Sequence, residues 1–281
     1  MKPAFLKEEA FLAEVKAALA SGERRLWWLG QSGFLIVQNR RAIVLDPYLS
    51  DSLTRKYAKT DKPHTRMTEL VVSAECLGRL GVIDLITSSH NHTDHFDAET
   101  LLPLLKANPQ AKLVIPAANR AMTLERLGEQ FGDRLIELDD GQTTETAGVR
   151  IGAVAAAHPS IERDEIGKCR FLGYYLKLDM FKIYHSGDTL LHGGLVSALK
   201  PLSVDVALLP INGDRPERRV AGNLDGKQAA QLAHEIGARL AIPCHFDLFE
   251  FNTEPPDDFV RECERLGQPY RVLRNGEGYS W

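Results

Sequence analysis

Histidine and aspartate are concentrated in one short stretch of the chain. Residues 90–95 read His-Asn-His-Thr-Asp-His and follow the apolar run at 82–87. In an extended segment residues two apart point to the same side, so His90 and His92 can bind one metal ion together. Asp94 and His95 lie where the chain turns towards a helix, which lets them reach a second ion nearby. Imidazole and carboxylate groups suit zinc, manganese or iron rather than calcium.

Three further residues of ligand type follow apolar runs far along the chain. His158 ends the run 153–157, Asp188 comes just after the β-rich block at 170–185, and His245 ends the run 240–244. Singly, each could be a strand-end residue or a helix cap without a metal. Sites in sheet proteins collect at one edge of the strands, so the shared placement predicts one centre with two divalent ions. The expected ligands form two sets around one bridging carboxylate: His90, His92 and His158; Asp94, His95 and His245; and Asp188 between them.

The periodicity of apolar residues predicts the elements that position these groups. A helix is expected at 5–20, then β-hairpin strands at 25–29, 34–38 and 42–45, with a loop or short helical insertion at 50–66. Further helices are predicted at 67–80, 98–107, 118–129, 190–199, 226–237 and 256–266. Strands are predicted at 82–87, 112–116, 134–138, 204–209, 239–243 and 270–274, with β-rich blocks at 142–157 and 170–185. This order favours two mixed sheets packed face to face with helices outside.

Composition narrows the class of protein. The 281 residues carry a net charge of −4 and are 44% hydrophobic, and no low-complexity linker divides them, so a single domain over 1–281 is expected. The charge disfavours a surface devoted to nucleic acid. No apolar stretch has the length of a membrane span or the form of a secretory signal. Four cysteines without a C-x-x-C pair indicate a reducing, cytoplasmic location.

The ordered ligand set resembles the metallo-β-lactamase fold superfamily over about residues 25–275. The resemblance implies an α/β fold, a four-layer αββα sandwich of two mixed β-sheets flanked by helices, with a dinuclear site at one sheet edge. It also implies that Asp46, in Leu45-Asp46-Pro47, supports the site from behind the ligands. His185, which lies close to Asp188 in sequence, is expected to play a similar part.

A narrower set of segments resembles the L-ascorbate-6-phosphate lactonase branch of this superfamily. The segments are 29–34, 46–53, 185–189, 210–213 and 245–249. This resemblance implies a cytoplasmic homo-oligomer that opens the lactone of a phosphorylated sugar acid with a divalent metal such as manganese. The expected reaction is attack of a metal-bound hydroxide on a lactone or ester carbonyl, with Asp94 and Asp188 as the catalytic carboxylates.

A phosphorylated substrate requires cationic and polar contacts. Those expected, mainly from the resemblance, are Gln31, Ser32, Arg55, Lys56 and Asn212. Five more cations lie in the same predicted non-helical segments: Lys59, Arg66, Arg215, Arg218 and Arg219.

Other functions remain open from the sequence. Two metal ions also suit a phosphodiesterase acting on a small phosphodiester. A non-catalytic protein that binds sugar phosphates through its metal is a second alternative, although a complete set of ligands with open metal positions is typical of enzymes. A true β-lactamase is less favoured, because such enzymes are typically exported.

Overall fold

The computed structural model describes residues 1–281 and contains thirteen strands in two sheets. The strands are β1 (Arg25–Gly30), β2 (Gly33–Gln38), β3 (Arg41–Leu45), β4 (Ile83–Thr87), β5 (Lys112–Pro116), β6 (Leu135–Leu138), β7 (Thr143–Thr146), β8 (Val149–Ala155), β9 (Leu172–Leu178), β10 (Phe181–His185), β11 (Val206–Pro210), β12 (Leu240–Cys244) and β13 (Gly278–Ser280). The helices are α1 (Glu8–Ser21), α2 (Ser52–Tyr57), α3 (Ala74–Gly78), α4 (Ala98–Ala107), α5 (Arg120–Leu127), α6 (Leu195–Leu199), α7 (Gly226–Glu235) and α8 (Asp257–Leu266).

Each sheet combines an antiparallel part and a parallel part. The first has the order β13-β1-β2-β3-β4-β5-β6, antiparallel as far as β3 and parallel from β3 to β6. The second has the order β12-β11-β10-β9-β8-β7, parallel from β12 to β10 and antiparallel beyond. This arrangement confirms the predicted pair of mixed sheets.

Alternation along the strands creates the layers. In β1, Leu26 and Trp28 belong to the core between the sheets, whereas Trp27 and Leu29 face the opposite way. The outward residues of the first sheet pack against α1, α3, α4 and α5, and the second sheet packs against α6, α7 and α8. Because successive side chains of a strand point to opposite faces, one run of apolar residues serves both packing layers. The result is the predicted order of helix, sheet, sheet and helix layers.

Three predicted elements differ from the structure. The helix predicted at 67–80 is reduced to α3, because residues 66–68 run extended and pair with Phe249 and Lys2. The helix predicted at 190–199 is reduced to α6, which begins after the flexible pair Gly193-Gly194. The strand predicted at 270–274 does not form: Tyr270 makes an isolated bridge to Ala241, and the last strand is β13.

The polar segment 50–66 contains a short helix, α2, as one of the two predicted options. No helix in the structure has both the length and the apolar character needed to cross a membrane.

Candidate metal centre

Four segments that each follow a strand bring the ligand-type side chains together. The hexapeptide 90–95 follows β4, and the other three residues follow β8, β10 and β12. Their donor atoms form three overlapping groups in which all atoms lie within 4.8 Å of one another. The groups are His90, His92 and His158; His90, His95 and Asp188; and Asp94, His95 and His245. The two sets expected from the sequence are therefore adjacent in space.

Asp188 lies between the two sets. Its Oδ1 is 3.1 Å from His95 Nε2, and its Oδ2 is 3.3 Å from His245 Nε2 and 3.7 Å from His158 Nε2. Gly187, in the left-handed region with φ of 58°, turns the chain at this point. Oδ2 thus lies near a histidine of each set and Oδ1 lies near His95, so this carboxylate adjoins both sets, as a bridging ligand must.

Hydrogen bonds on the far side of three imidazoles fix which nitrogen points into the cluster. Nδ1 of His158 donates to the Gly222 carbonyl at 2.9 Å, and Nδ1 of His95 donates to Asp46 Oδ2 at 2.8 Å. Nδ1 of His90 lies 3.0 Å from the Ser89 hydroxyl. In each ring the Nε2 atom is therefore left as the inward donor for a metal.

Several inward atoms are buried without a hydrogen-bond partner. They are Nε2 of His90, together with Nε2 of His95 and Oδ1 of Asp188, which face only each other at 3.1 Å. Leaving a buried polar atom unpaired costs about 1–3 kcal/mol, so such atoms in a folded protein call for a ligand. A set of five imidazoles and two carboxylates fits divalent transition-metal ions, and His92 is the histidine of this set exposed to solvent.

Asp46 lies behind the cluster and contacts His95, one of its candidate ligands. Its buried carboxylate accepts hydrogen bonds from His95 Nδ1, from the Thr87 hydroxyl at 3.0 Å and from the Ser89 backbone nitrogen at 3.0 Å. The Ser89 hydroxyl also donates to it. His185 is buried as well, but its Nε2 lies 2.8 Å from the Ser32 carbonyl, and its ring packs edge-on against Phe34.

Burial and the charges of neighbouring groups set the protonation states of the cluster residues. Burial lowers the pKa of His90 well below its usual value and keeps this ring in the neutral form that binds metal. Burial alone would lower the pKa of His245, but the carboxylates of Asp188 and Asp94 outweigh it and raise this pKa to about 9. Burial alone would raise the pKa of Asp94, yet the neighbouring His95 and His245 hold it below its ordinary range. The histidines beside Asp188 likewise lower the pKa of its carboxyl, so Asp94 and Asp188 are both ionised. A metal cation would compete with protons for the neighbouring histidines.

Comparison with known proteins assigns the family. Residues 41–246 match the family described as the Beta-lactamase superfamily domain. The chain belongs to this superfamily. Its relatives include the UPF0173 metal-dependent hydrolase of Opitutus terrae, 30% identical over 260 residues that cover 90% of this chain and 98% of the relative. The UPF0173 metal-dependent hydrolase of Rubrobacter xylanophilus is 28% identical over 265 residues, covering 91% and 96%.

This UPF0173-family member shares its fold with solved structures at lower identity. The metallo hydrolase Igni18 from Ignicoccus hospitalis is 23% identical, with a TM-score of 0.66 over 92% of this chain and 98% of the other. The likeness extends over nearly all of both chains, so it includes both sheets of the superfamily fold.

A cavity of about 460 Å³ opens above the cluster of candidate metal ligands. Of the expected substrate contacts, Lys56 lines this cavity and Arg55 does not, because Arg55 turns outward to pair with Glu99. Among the further cations, Arg219 lines the cavity and also pairs with Asp61 at 2.7 Å. Four others stay outside it: Lys59, Arg66, Arg215 and Arg218.

The three remaining expected contacts are buried beneath or beside the site. Gln31 donates to Asp94 Oδ2 at 2.7 Å, and Ser32 lies below with its side chain fully buried. Asn212 is fully buried and donates to Asn252 at 3.0 Å. None of the three lines the cavity, so they act on neighbouring residues and do not contact a substrate there.

Several cavity residues carry no sequence motif that would have identified them. Arg126 on α5 lines the cavity, as does an aromatic wall near the end of α2. In that wall His64 stacks on Tyr57 at 4.0 Å between ring centroids and lies 4.3 Å from Phe251. These residues are far apart in the chain, and only the tertiary fold brings them to the metal cluster.

Proposed function

We propose that this protein hydrolyses the lactone or ester bond of a small phosphorylated sugar acid, as the L-ascorbate-6-phosphate lactonases do. The observation that carries the proposal is the position of two adjoining ligand sets at a cavity lined by two cations without ion pairs, Lys56 and Arg126. The volume of about 460 Å³ suits a small-molecule substrate.

Two divalent ions, with manganese and zinc as the first choices and iron as a third, supply Lewis acidity and a water acidic enough to react at neutral pH. The protein supplies the proton transfer. Asp94 lines the cavity with 18% of its side chain exposed, and Gln31 holds its Oδ2 at 2.7 Å. A carboxylate held in this way can take the proton of the attacking water and return it to the leaving alkoxide. Asp188 is buried between the ligand sets and keeps them at a fixed separation.

Lys56 and Arg126 provide the positive charge for an anionic substrate. Both line the cavity, and neither forms an ion pair, in contrast to Arg55 and Arg219. Arg126 Nη1 donates to the Asn91 carbonyl at 2.9 Å, which leaves its other donors free. A guanidinium and an ammonium group together suit a phosphate or carboxylate group.

The same geometry favours one other reaction. Two ligand sets that share Asp188 are also suited to the displacement of a phosphodiester, so a small phosphodiester is the second candidate substrate. We assign neither nucleic acid nor a membrane as partner, and we propose that the protein works in the cytoplasm as a homo-oligomer. Light scattering coupled to gel filtration tests the oligomer.

A substrate panel tests the proposal. The purified protein is loaded with Mn²⁺ or Zn²⁺, and its metal content is measured. Hydrolysis is then compared for sugar-acid lactones with and without a phosphate group and for bis-p-nitrophenyl phosphate. We expect the phosphorylated lactone to have the highest kcat/KM. Turnover of the phosphodiester alone would establish the second candidate, and tight binding of sugar phosphates without any turnover would indicate a binding protein.

A further inference from the structure

The segment 212–224, here called the brace loop, leaves the sheet after β11 and returns before α7. The base of the loop is closed by a bridge between Asn212 and Asp225 and by a hydrogen bond from Gly213 nitrogen to the Leu224 carbonyl at 3.0 Å. Part of the loop, at Arg219 to Ala221, lines the cavity above the metal cluster. The brace loop is therefore a closed unit beside the site.

The brace loop contacts two of the ligand segments through its backbone. The Gly222 carbonyl accepts the hydrogen bond from His158 Nδ1 at 2.9 Å. The Leu224 nitrogen donates to the carbonyl of Thr189 at 2.8 Å, one residue after Asp188. The orientation of the His158 ring and the path of the chain at Asp188 both depend on where this loop lies.

Arg218 is the side chain that ties the brace loop to the rest of the fold. Its guanidinium is 11% exposed. It donates to the Asn212 carbonyl at the base of the loop, to the Thr253 carbonyl at 3.0 Å and to Glu254 at 2.5 Å. One planar group thus joins the start of the loop to the segment after β12, using donors in a fixed geometry that a lysine lacks.

We propose that Arg218 is a positioning residue for the metal centre, acting through the brace loop and the Gly222 carbonyl on His158. Partners that hold the far nitrogen of a ligating histidine typically change metal affinity by about 10–100-fold when they are removed. Arg218 does not line the cavity and contacts no ligand, although its Nη1 lies 3.4 Å from Asn252 Oδ1 at the cavity wall; its contact with the ligand segments is through the loop backbone. The proposal goes beyond the proposed reaction and holds for any chemistry at this centre.

Metal binding without substrate tests the proposal. Metal-free protein is titrated with Zn²⁺ against a chromophoric chelator, and with Co²⁺ while its visible spectrum is recorded. His158→Ala identifies the binding step to which His158 contributes. We expect Arg218→Ala to weaken that step by about 10–100-fold and to alter its Co²⁺ spectrum, with the other step, which shares only Asp188, weakened much less. Arg218→Lys should recover only part of the affinity.

Two further variants separate positioning from general stability. Arg215→Ala is the matched control, because Arg215 bonds to the same Glu254 at 3.2 Å but is 54% exposed; its metal binding should equal that of the wild type. Gly222→Ala should displace the loop while keeping Arg218, because a Cβ at Gly222 would lie 2.3 Å from the Asp214 Cβ. This variant should show the same loss of metal affinity as Arg218→Ala.

Two results would overturn the proposal: wild-type affinity in Arg218→Ala, whatever Gly222→Ala shows, or an equal weakening of both binding steps together with a lower melting temperature. A wild-type protein that binds its metals normally but hydrolyses nothing in the panel would refute the proposed function and leave this inference standing.

Discussion

At the scale of single residues, two carboxylates of the site, Asp46 and Asp94, differ in burial and in role. Asp46 is fully buried and is surrounded by donors from His95, Thr87 and Ser89. Burial opposes its charge, but the histidines beside it and its hydrogen bonds outweigh burial and hold the pKa of Asp46 below its ordinary value. Asp94 keeps an edge open to the cavity. The first carboxylate therefore fixes a ligand, and the second is available to a substrate.

Replacing Asp46 tests its structural part. Asp46→Ala removes the acceptor for His95 and leaves buried donors unpaired, so we expect the metal-free protein to lose about 3 kcal/mol of unfolding free energy. Urea denaturation followed by circular dichroism measures the loss. Asp61→Asn is the control: Asp61 pairs with Arg219 on the surface with 76% of its side chain exposed, and its loss should have little effect. Equal stability of Asp46→Ala and the wild type would contradict the assigned role.

Replacing Asp94 tests proton transfer. Asp94→Ala should lower kcat by about two to four orders of magnitude, because the attacking water and the leaving group both lose their proton carrier. The measurement needs the metal content of the same sample, since Asp94 also belongs to one ligand set. Near-normal turnover with full metal content would rule out the catalytic role.

At the scale of elements, α2 and α5 bring charge to the cavity from two sides, and α2 offers a matched pair of residues. Lys56 lines the cavity, whereas its neighbour Arg55 pairs with Glu99 on the outside. Lys56→Gln and Arg126→Gln should each raise KM for an anionic substrate by roughly tenfold with kcat nearly unchanged, because they bind ground state and transition state alike. Arg55→Gln should leave KM unchanged, because Arg55 lies outside the cavity. If Arg55→Gln raised KM as much as Lys56→Gln, a direct contact between Lys56 and the substrate would be contradicted.

The elements also show which features of the fold and the site could be predicted from sequence patterns. The convergence of the ligand-type residues was predictable, because a hexapeptide of unusual composition and three strand-end residues meet at one sheet edge. The strand predicted at 270–274 failed because local apolar character cannot reveal that the chain turns between Arg274 and Glu277 before pairing with β1. Arg126 escaped prediction because its neighbours are contributed by distant segments. Asn212 and Arg218 were predicted as candidate substrate contacts, but in the tertiary structure Asn212 donates to Asn252, Arg218 donates to the Asn212 carbonyl, and neither residue lines the cavity.

At the scale of the whole molecule, the centre joins the two sheets. The hexapeptide 90–95 follows β4 of the first sheet, while His158, Asp188 and His245 follow β8, β10 and β12 of the second. Each ligand set draws on both sheets, since His158 completes one and His245 the other. A metal ion bound there would therefore cross-link the two sheets, in addition to the apolar core between them.

Removal of metal should consequently destabilise the entire fold. Each ion that binds only the folded state adds about 4 kcal/mol at a free concentration a thousandfold above its Kd, which corresponds to a rise in Tm on the order of 8 °C. We expect the Tm measured by calorimetry to fall by at least this amount when a chelator replaces Zn²⁺. His158→Ala and His245→Ala remove one ligand from opposite sets, so each should reduce the metal-dependent part of Tm. Hydrogen exchange gives the decisive test: metal should slow exchange next to the ligands in both sheets, and protection confined to the segment after β4 would contradict a centre shared between them.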